Sequence, residues 1–115
     1  MDQKRIDALR GHKFLPASAR DIPALDTDAE GALDDVTIHL RYFTNVGAAY
    51  WLVAQYDPAT KIAWGYAEVT PGFGEWGSFS LRELRELYLV KSGFPIIVER
   101  DRMFAPTRFG DIERP

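Results

Sequence analysis

Cysteine is absent from all 115 residues. Disulfides, thiolate metal sites and a cysteine nucleophile are thereby excluded together, and the usage fits a reducing compartment such as the cytoplasm. Long apolar runs are missing as well. The longest, Ala48 to Ala54 and Phe94 to Val98, fall far short of the roughly 20 residues that cross a bilayer, and the polar opening MDQKRIDALR has nothing of a secretory signal. Histidine occurs only at His12 and His39, with no companion at ligand spacing. Ser78 and Ser80 stand outside any nucleophile-elbow context. The expectation is a soluble cytoplasmic chain without catalytic residues, metal ligands or a cofactor.

The chain is long enough for one compact domain with a single core and too short for two. Its 46% hydrophobic and 27% charged residues lie near the globular average, which excludes disorder throughout. The net charge of −3 is mild but unevenly spread. Asp21, Asp26, Asp28, Glu30, Asp34 and Asp35 fall in a stretch to Leu40 that holds no Lys or Arg. Lys4, Arg5, Arg10, His12 and Lys13 crowd the amino terminus, while Arg82, Arg85, Lys91, Arg100, Arg102 and Arg108 are interleaved with acids. The acidic stretch would repel a phosphate backbone and no basic footprint forms, so nucleic acid is not an expected partner.

Ile6 and Leu9, followed by Gly11, suggest a short first helix. Leu15 to Asp35 has no period and contains Pro16 and Pro23, so this acidic segment either wraps the surface or is partly mobile. Val36, Ile38, Leu40 and Tyr42 alternate with Thr37, His39, Arg41 and Phe43, the signature of a strand with one buried face. Asn45 and Gly47 mark a turn before a second strand, Tyr50 to Tyr56; Asp57 to Thr60 turn the chain into a third, Ile62 to Val69. In that third strand Ala63, Gly65, Ala67 and Val69 share one face, small enough to take a closely packed helix. Residues 70–79 read as an aromatic glycine-rich loop whose Phe73 and Trp76 fold back onto the sheet. Ser80 and Glu83 form a capping box for a helix over 80–91 with a stripe of Leu81, Leu84, Leu87 and Tyr88, stopped by Gly93. Residues 94–101 read as a final strand and 103–115 as a tail. The result is an α+β domain, an antiparallel sheet of about four strands packed by one or two helices in the order α-β-β-β-α-β.

Several short motifs occur together and in order: Ile22 to Asp28 (IPALDTD), Tyr42-Phe43-Thr44, Tyr50-Trp51, Tyr56-Asp57-Pro58, Gly65-Tyr66, Glu75-Trp76-Gly77, Phe79-Ser80-Leu81, Glu83-Leu84, Glu99-Arg100-Asp101 and Phe104-Ala105-Pro106. In these the chain resembles the uncharacterised bacterial domain of unknown function 2958. Two positions depart from the family pattern: Leu25-Asp26, where a Leu-Tyr pair is common, and Gln55, where glutamate often precedes the Tyr-Asp-Pro turn. The resemblance implies a setting on plasmids and other mobile genetic elements; it implies no activity and no catalytic residues.

Candidate contacts gather around the loop. Glu75, held between Gly74 and Trp76, is expected to pair with Arg100, with Asp101 beside it, either as a structural lock or as a recognition site. Phe73, Trp76 and Trp64 are the rings expected to remain open as a protein contact. Glu68, Glu75, Glu99 and Asp101 would have to converge for a metal-dependent hydrolase. His39, opposite the apolar set of its strand, reads as solvent-facing or hydrogen-bonded rather than as a base. The leading expectation is a non-catalytic accessory protein of a mobile element that binds another protein. An anti-defence inhibitor and a metal-dependent hydrolase are the alternatives.

Overall fold

The computed structural model describes residues 2–26 and 31–113; Asp28 and Glu30 of the acidic segment, and the Thr27-Asp28 end of its motif, lie outside the described residues. Helix α1 (Gln3–Arg10) begins at Asp2, whose carboxylate accepts the Arg5 amide at 3.0 Å, and ends at Gly11 in the left-handed region (φ 75°). The following connection wraps the surface by way of two 3-10 turns, Ala17–Asp21 and Leu33–Asp35. It is pinned by Phe14, Ala19 and Ile22, all buried.

The strands that follow among the described residues are β1 (Thr37–Ile38), β2 (Leu40–Thr44), β3 (Tyr50–Asp57), β4 (Ile62–Glu68), β5 (Glu75–Ser80), then, after helix α2 (Leu81–Glu86), β6 (Leu89–Lys91), β7 (Phe94–Ile96), β8 (Val98–Arg100) and β9 (Thr107–Arg108). The main sheet is antiparallel in the order β5-β4-β3-β2-β8, with β1-β9 and β6-β7 as separate pairs. The α+β class and the three-stranded meander at its centre agree with the sequence reading.

The sheet separates two apolar clusters. On the helix side, Phe14, Leu40, Tyr42, Trp51, Val53, Tyr56, Ala63 and Val98 meet Leu81 and Leu84 of α2. The small face of β4 is thus covered by helix, as its residue sizes imply. On the other side, Ile38, Tyr50, Leu52, Ala54 and Phe109 pack with Trp64, Tyr66 and Trp76. Gly65 is needed between them, because a Cβ there would lie 1.8 Å from the Leu52 carbonyl oxygen, where the β3 register shifts between Val53 and Gln55.

Several sequence expectations are corrected. Val36 to Phe43 is not one strand with one buried face. The ladder breaks at His39, whose amide donates to the Val53 carbonyl at 2.8 Å. Ile38 goes to the second cluster while Leu40 and Tyr42 go to the first. Residues 75–80 are not loop but strand β5, paired along β4 from Ala67↔Glu75 to Ile62↔Ser80. Ser80 caps α2 as expected, its hydroxyl accepting the Glu83 amide at 3.1 Å, yet the helix ends at Glu86 rather than 91. Gly93 does not stop it. Ser92 (φ 52°) and Gly93 (φ 82°) instead form the two-residue bend of the β6-β7 hairpin, a turn that requires left-handed backbone at both positions. The strand expected over 94–101 is two strands broken at Ile97, whose amide and carbonyl are taken by Asn45. The expected tail is structured over its described residues, 103–113: β9 pairs with β1, and Phe109 is only 5% exposed.

Candidate functional site

The structure divides the sequence-predicted residues between the two edges of the sheet. Glu75 and Trp76 are on β5 and Arg100 is on β8, with β4, β3 and β2 lying between them. The expected Glu75–Arg100 pair therefore does not form. Arg100 instead donates to the Lys13 carbonyl (3.1 Å), and Asp101 accepts the Met103 amide (3.0 Å) and faces Arg41 at 3.6 Å. The four carboxylates of the hydrolase alternative are likewise split, with Glu68 and Glu75 on the β4-β5 side and Glu99 and Asp101 on the β8 side. Among the described residues no group of three or more His, Asp or Glu is placed to hold a metal ion.

What remains together is the aromatic part. Trp64 lies opposite Ser78 and Trp76 opposite Tyr66 in the β4-β5 ladder, so the two indoles meet on the diagonal and stack with centroids 5.0 Å apart. Tyr66 meets Trp76 edge-on at 5.6 Å, and Phe109 closes the group at 4.6 Å from Trp76 and 5.0 Å from Tyr66. Gly74 makes room for it, since a Cβ at that position would sit 1.8 Å from the Tyr66 hydroxyl oxygen. Trp76 thus does fold back onto the sheet. Phe73 does not: it is 77% exposed at the bend that enters β5, beside exposed Val69.

The two edges differ in protection. At β8, the Val98 carbonyl is taken by the Arg10 guanidinium at 2.7 Å, and segment 11–14 lies alongside through Arg100. Strand β5 has β4 on one side and, among the described residues, no strand on the other. Its sequence EWGSFS carries one charge, no proline and no lysine, and so lacks the usual devices that discourage pairing at a sheet edge. The β6-β7 hairpin is a second exposed apolar feature, with Leu89, Val90 and Phe94 open. Sequence reading misses it by extending the helix to 91.

Arg10 is also missed as a structural residue, since in sequence it is one of several amino-terminal cations. It is 3% exposed. It donates to Asp7 (2.8 Å) and the Arg85 carbonyl (2.9 Å) besides Val98, and lies 4.8 Å over the Phe14 ring. Burial lowers its pKa and the Asp7 carboxylate opposes that, while three acceptors keep the guanidinium satisfied. Asp7 also takes Arg85 at 2.8 Å. The Arg85 hydrogen bond, against a smaller burial penalty, holds the Asp7 carboxyl down to about 2. Together these groups tie α1 to α2 and to β8.

His39, Arg100 and Asp101 line a small cavity of about 190 Å³ with Asp21, Ile22 and Phe104. Burial pushes the His39 pKa down, which favours the neutral ring. Among the described residues no side chain hydrogen-bonds it, and acid-base work needs such a positioned partner.

The family model described as "Protein of unknown function (DUF2958)" matches residues 17–109. No curated protein and no solved structure matches the chain. The matched span runs from the first 3-10 turn through strands β1 to β9 to Phe109, the ring that closes the second cluster. With most of its length covered, the chain belongs to the DUF2958 family of proteins of unknown function.

Proposed function

We propose that this chain is a non-catalytic accessory protein that binds another protein by accepting an extended segment of it along the outer side of β5. The observation that supports this reading is the open, unguarded β5 edge with exposed Phe73 at its start and the Trp64-Trp76 stack on its face. An added strand gains affinity from main-chain hydrogen bonds, and selectivity comes from side chains that meet neighbouring pockets. Tryptophan and other large rings commonly carry most of the energy of such contacts. The partner segment this edge suits is apolar on the side that meets Phe73 and Trp76, and cationic or neutral opposite Glu75. The family resemblance supports placing this role in a mobile genetic element; linkage of the gene to replication, transfer or integration genes is the check on that placement.

The test is to recover partners from the native host with tagged wild-type protein and then to measure binding of each purified candidate to wild type, Phe73→Asp, Trp76→Ala and Phe94→Asp. Binding that falls at least tenfold in the first two variants, with unchanged melting temperature for Phe73→Asp, supports the β5 surface. Binding that is lost only in Phe94→Asp, or in none of the three, refutes it.

A further inference from the structure

A cavity of about 570 Å³ opens on the helix side of the sheet, away from the Trp64-Trp76 stack. Its wall is built from four places in the chain: Asp7 and Gly11 at the end of α1, His12 to Leu15, Tyr56 and Lys61 around the β3-β4 turn, and Leu81, Arg82, Arg85 and Glu86 of α2. The volume falls within the roughly 300–1,000 Å³ typical of small-molecule sites.

Charge in this cavity runs against that of the whole molecule. Lys13, Lys61, Arg82 and Arg85 supply four positive charges against two from Asp7 and Glu86, in a chain of net −3. Arg85 is engaged with Asp7, and His12 faces Glu99 at 3.7 Å. Among the described residues Lys13, Lys61 and Arg82 take part in no ion pair. Three such cations, drawn from three segments around one concavity, focus a positive potential there. Beneath them lie Phe14, Leu15, Tyr56 and Leu81, an apolar floor.

The wall is also fixed in place. Arg85 is held by Asp7, its carbonyl accepts from Gln3 and Arg10, and the Leu81 amide donates to the Lys61 carbonyl at 2.9 Å, joining α2 to the turn. Lys61 itself sits at φ 60°, a conformation that glycine adopts freely and that a side chain makes costly. The chain thus holds a cationic side chain into the cavity wall at a position where the backbone alone would prefer glycine. Strain of this kind is concentrated at functional positions.

From the cationic rim, apolar floor and preformed wall we infer that this cavity binds a small organic molecule bearing phosphate, of the nucleoside diphosphate kind, its phosphates among Lys13, Lys61 and Arg82 and its body over the floor. This site is separate from the β5 surface and stands or falls without it.

The test is calorimetric titration of the full chain with ADP and with inorganic pyrophosphate, at low and at moderate salt without divalent metal. Wild type, Lys61→Gly, Arg82→Gln and, as an exposed control outside the cavity lining, Met103→Ala are compared. The expected result is ADP binding at least tenfold tighter than pyrophosphate, weakened at least tenfold in Lys61→Gly and Arg82→Gln and unchanged in Met103→Ala. Lys61→Gly should retain or raise the melting temperature, since it relieves the left-handed backbone; a loss of binding in that variant is then a loss of the charge and not of the fold. Absence of heat with both probes at millimolar concentration, or binding indifferent to Lys61 and Arg82, overturns the site. Equal affinity for pyrophosphate and ADP overturns the assignment of an organic ligand to the floor.

Discussion

Replacing Phe109 by alanine probes the part of the fold that least resembles an ordered element in the sequence. The ring is 5% exposed and lies within 5.0 Å, centroid to centroid, of both Tyr66 and Trp76. Truncating a buried phenylalanine costs about 3–5 kcal/mol, the size depending on how far the surroundings collapse into the space. The segment around it is held by the Phe109 amide on the Val36 carbonyl and by the β1-β9 pairing, so collapse into the space is limited. The expected loss is therefore about 3–5 kcal/mol, a large fraction of the roughly 5–15 kcal/mol that holds a domain of this size together. Urea unfolding followed by tryptophan fluorescence is the assay, because Trp76 touches the deleted ring and Trp64 stacks on Trp76. The midpoint should fall with little change in slope, and the native emission should shift to the red as Trp76 gains water. A loss below about 1 kcal/mol, within the range of an ordinary surface substitution, would refute the reasoning that the C-terminal segment closes the second cluster.

Other consequences can be measured on the same material. Gly65→Ala should prevent folding or lower the melting temperature severely, because the added methyl collides with β3 backbone that cannot step aside; a variant as stable as wild type would contradict the close β3-β4 approach. Arg10→Met leaves the Val98 carbonyl without its guanidinium donor and the Arg85 carbonyl with Gln3 alone and should cost about 2–4 kcal/mol by equilibrium unfolding. Asp7→Asn should cost about 1 kcal/mol at pH 7, the full linkage value being reduced because the carboxylate is over a third exposed and solvent screens it. Since the folded pKa lies below the ordinary 3.8 at about 2, the Asp7 contribution is complete above about pH 4 and disappears as pH falls through about 2. Stability curves of wild type and Asp7→Asn should accordingly converge across that window, and a constant gap would contradict the Asp7-Arg85 clamp.

The central sheet is readable because its strands are short apolar, aromatic-rich runs bounded by turn residues, as in Tyr50 to Tyr56, and because the small face of β4 implies a neighbour above it. The Ser80 cap is legible for a similar reason: a hydroxyl three residues before a glutamate is a local signal, and the bond it makes is local. Gly93 is ambiguous in kind. A left-handed glycine ends helices and also completes two-residue hairpin bends, and only the pairing of Lys91 with Phe94 decides between them. The β5 sequence EWGSFS has glycine near its centre and polar residues without strict alternation, which suits an edge strand and a loop equally. Arg10 and Phe109 are opaque because their roles are set at long range. The partners of Arg10 at Val98 and Arg85 are 88 and 75 positions away, and Phe109 is a lone ring in a polar stretch. The same limit separates the candidate site residues. Glu75 and Arg100 look complementary in sequence, and strand order alone places them at opposite edges.

The proposal that β5 receives a partner strand is tested most directly by backbone amide exchange of this chain, free and in complex with a partner validated by reconstituted binding. Residues 73–80 should show the largest slowing on complex formation, with the Trp64 and Trp76 indole protons perturbed and the β6-β7 hairpin unchanged. Slowing confined to residues 89–96, or spread over the helix side with β5 exchanging as in the free chain, would contradict it.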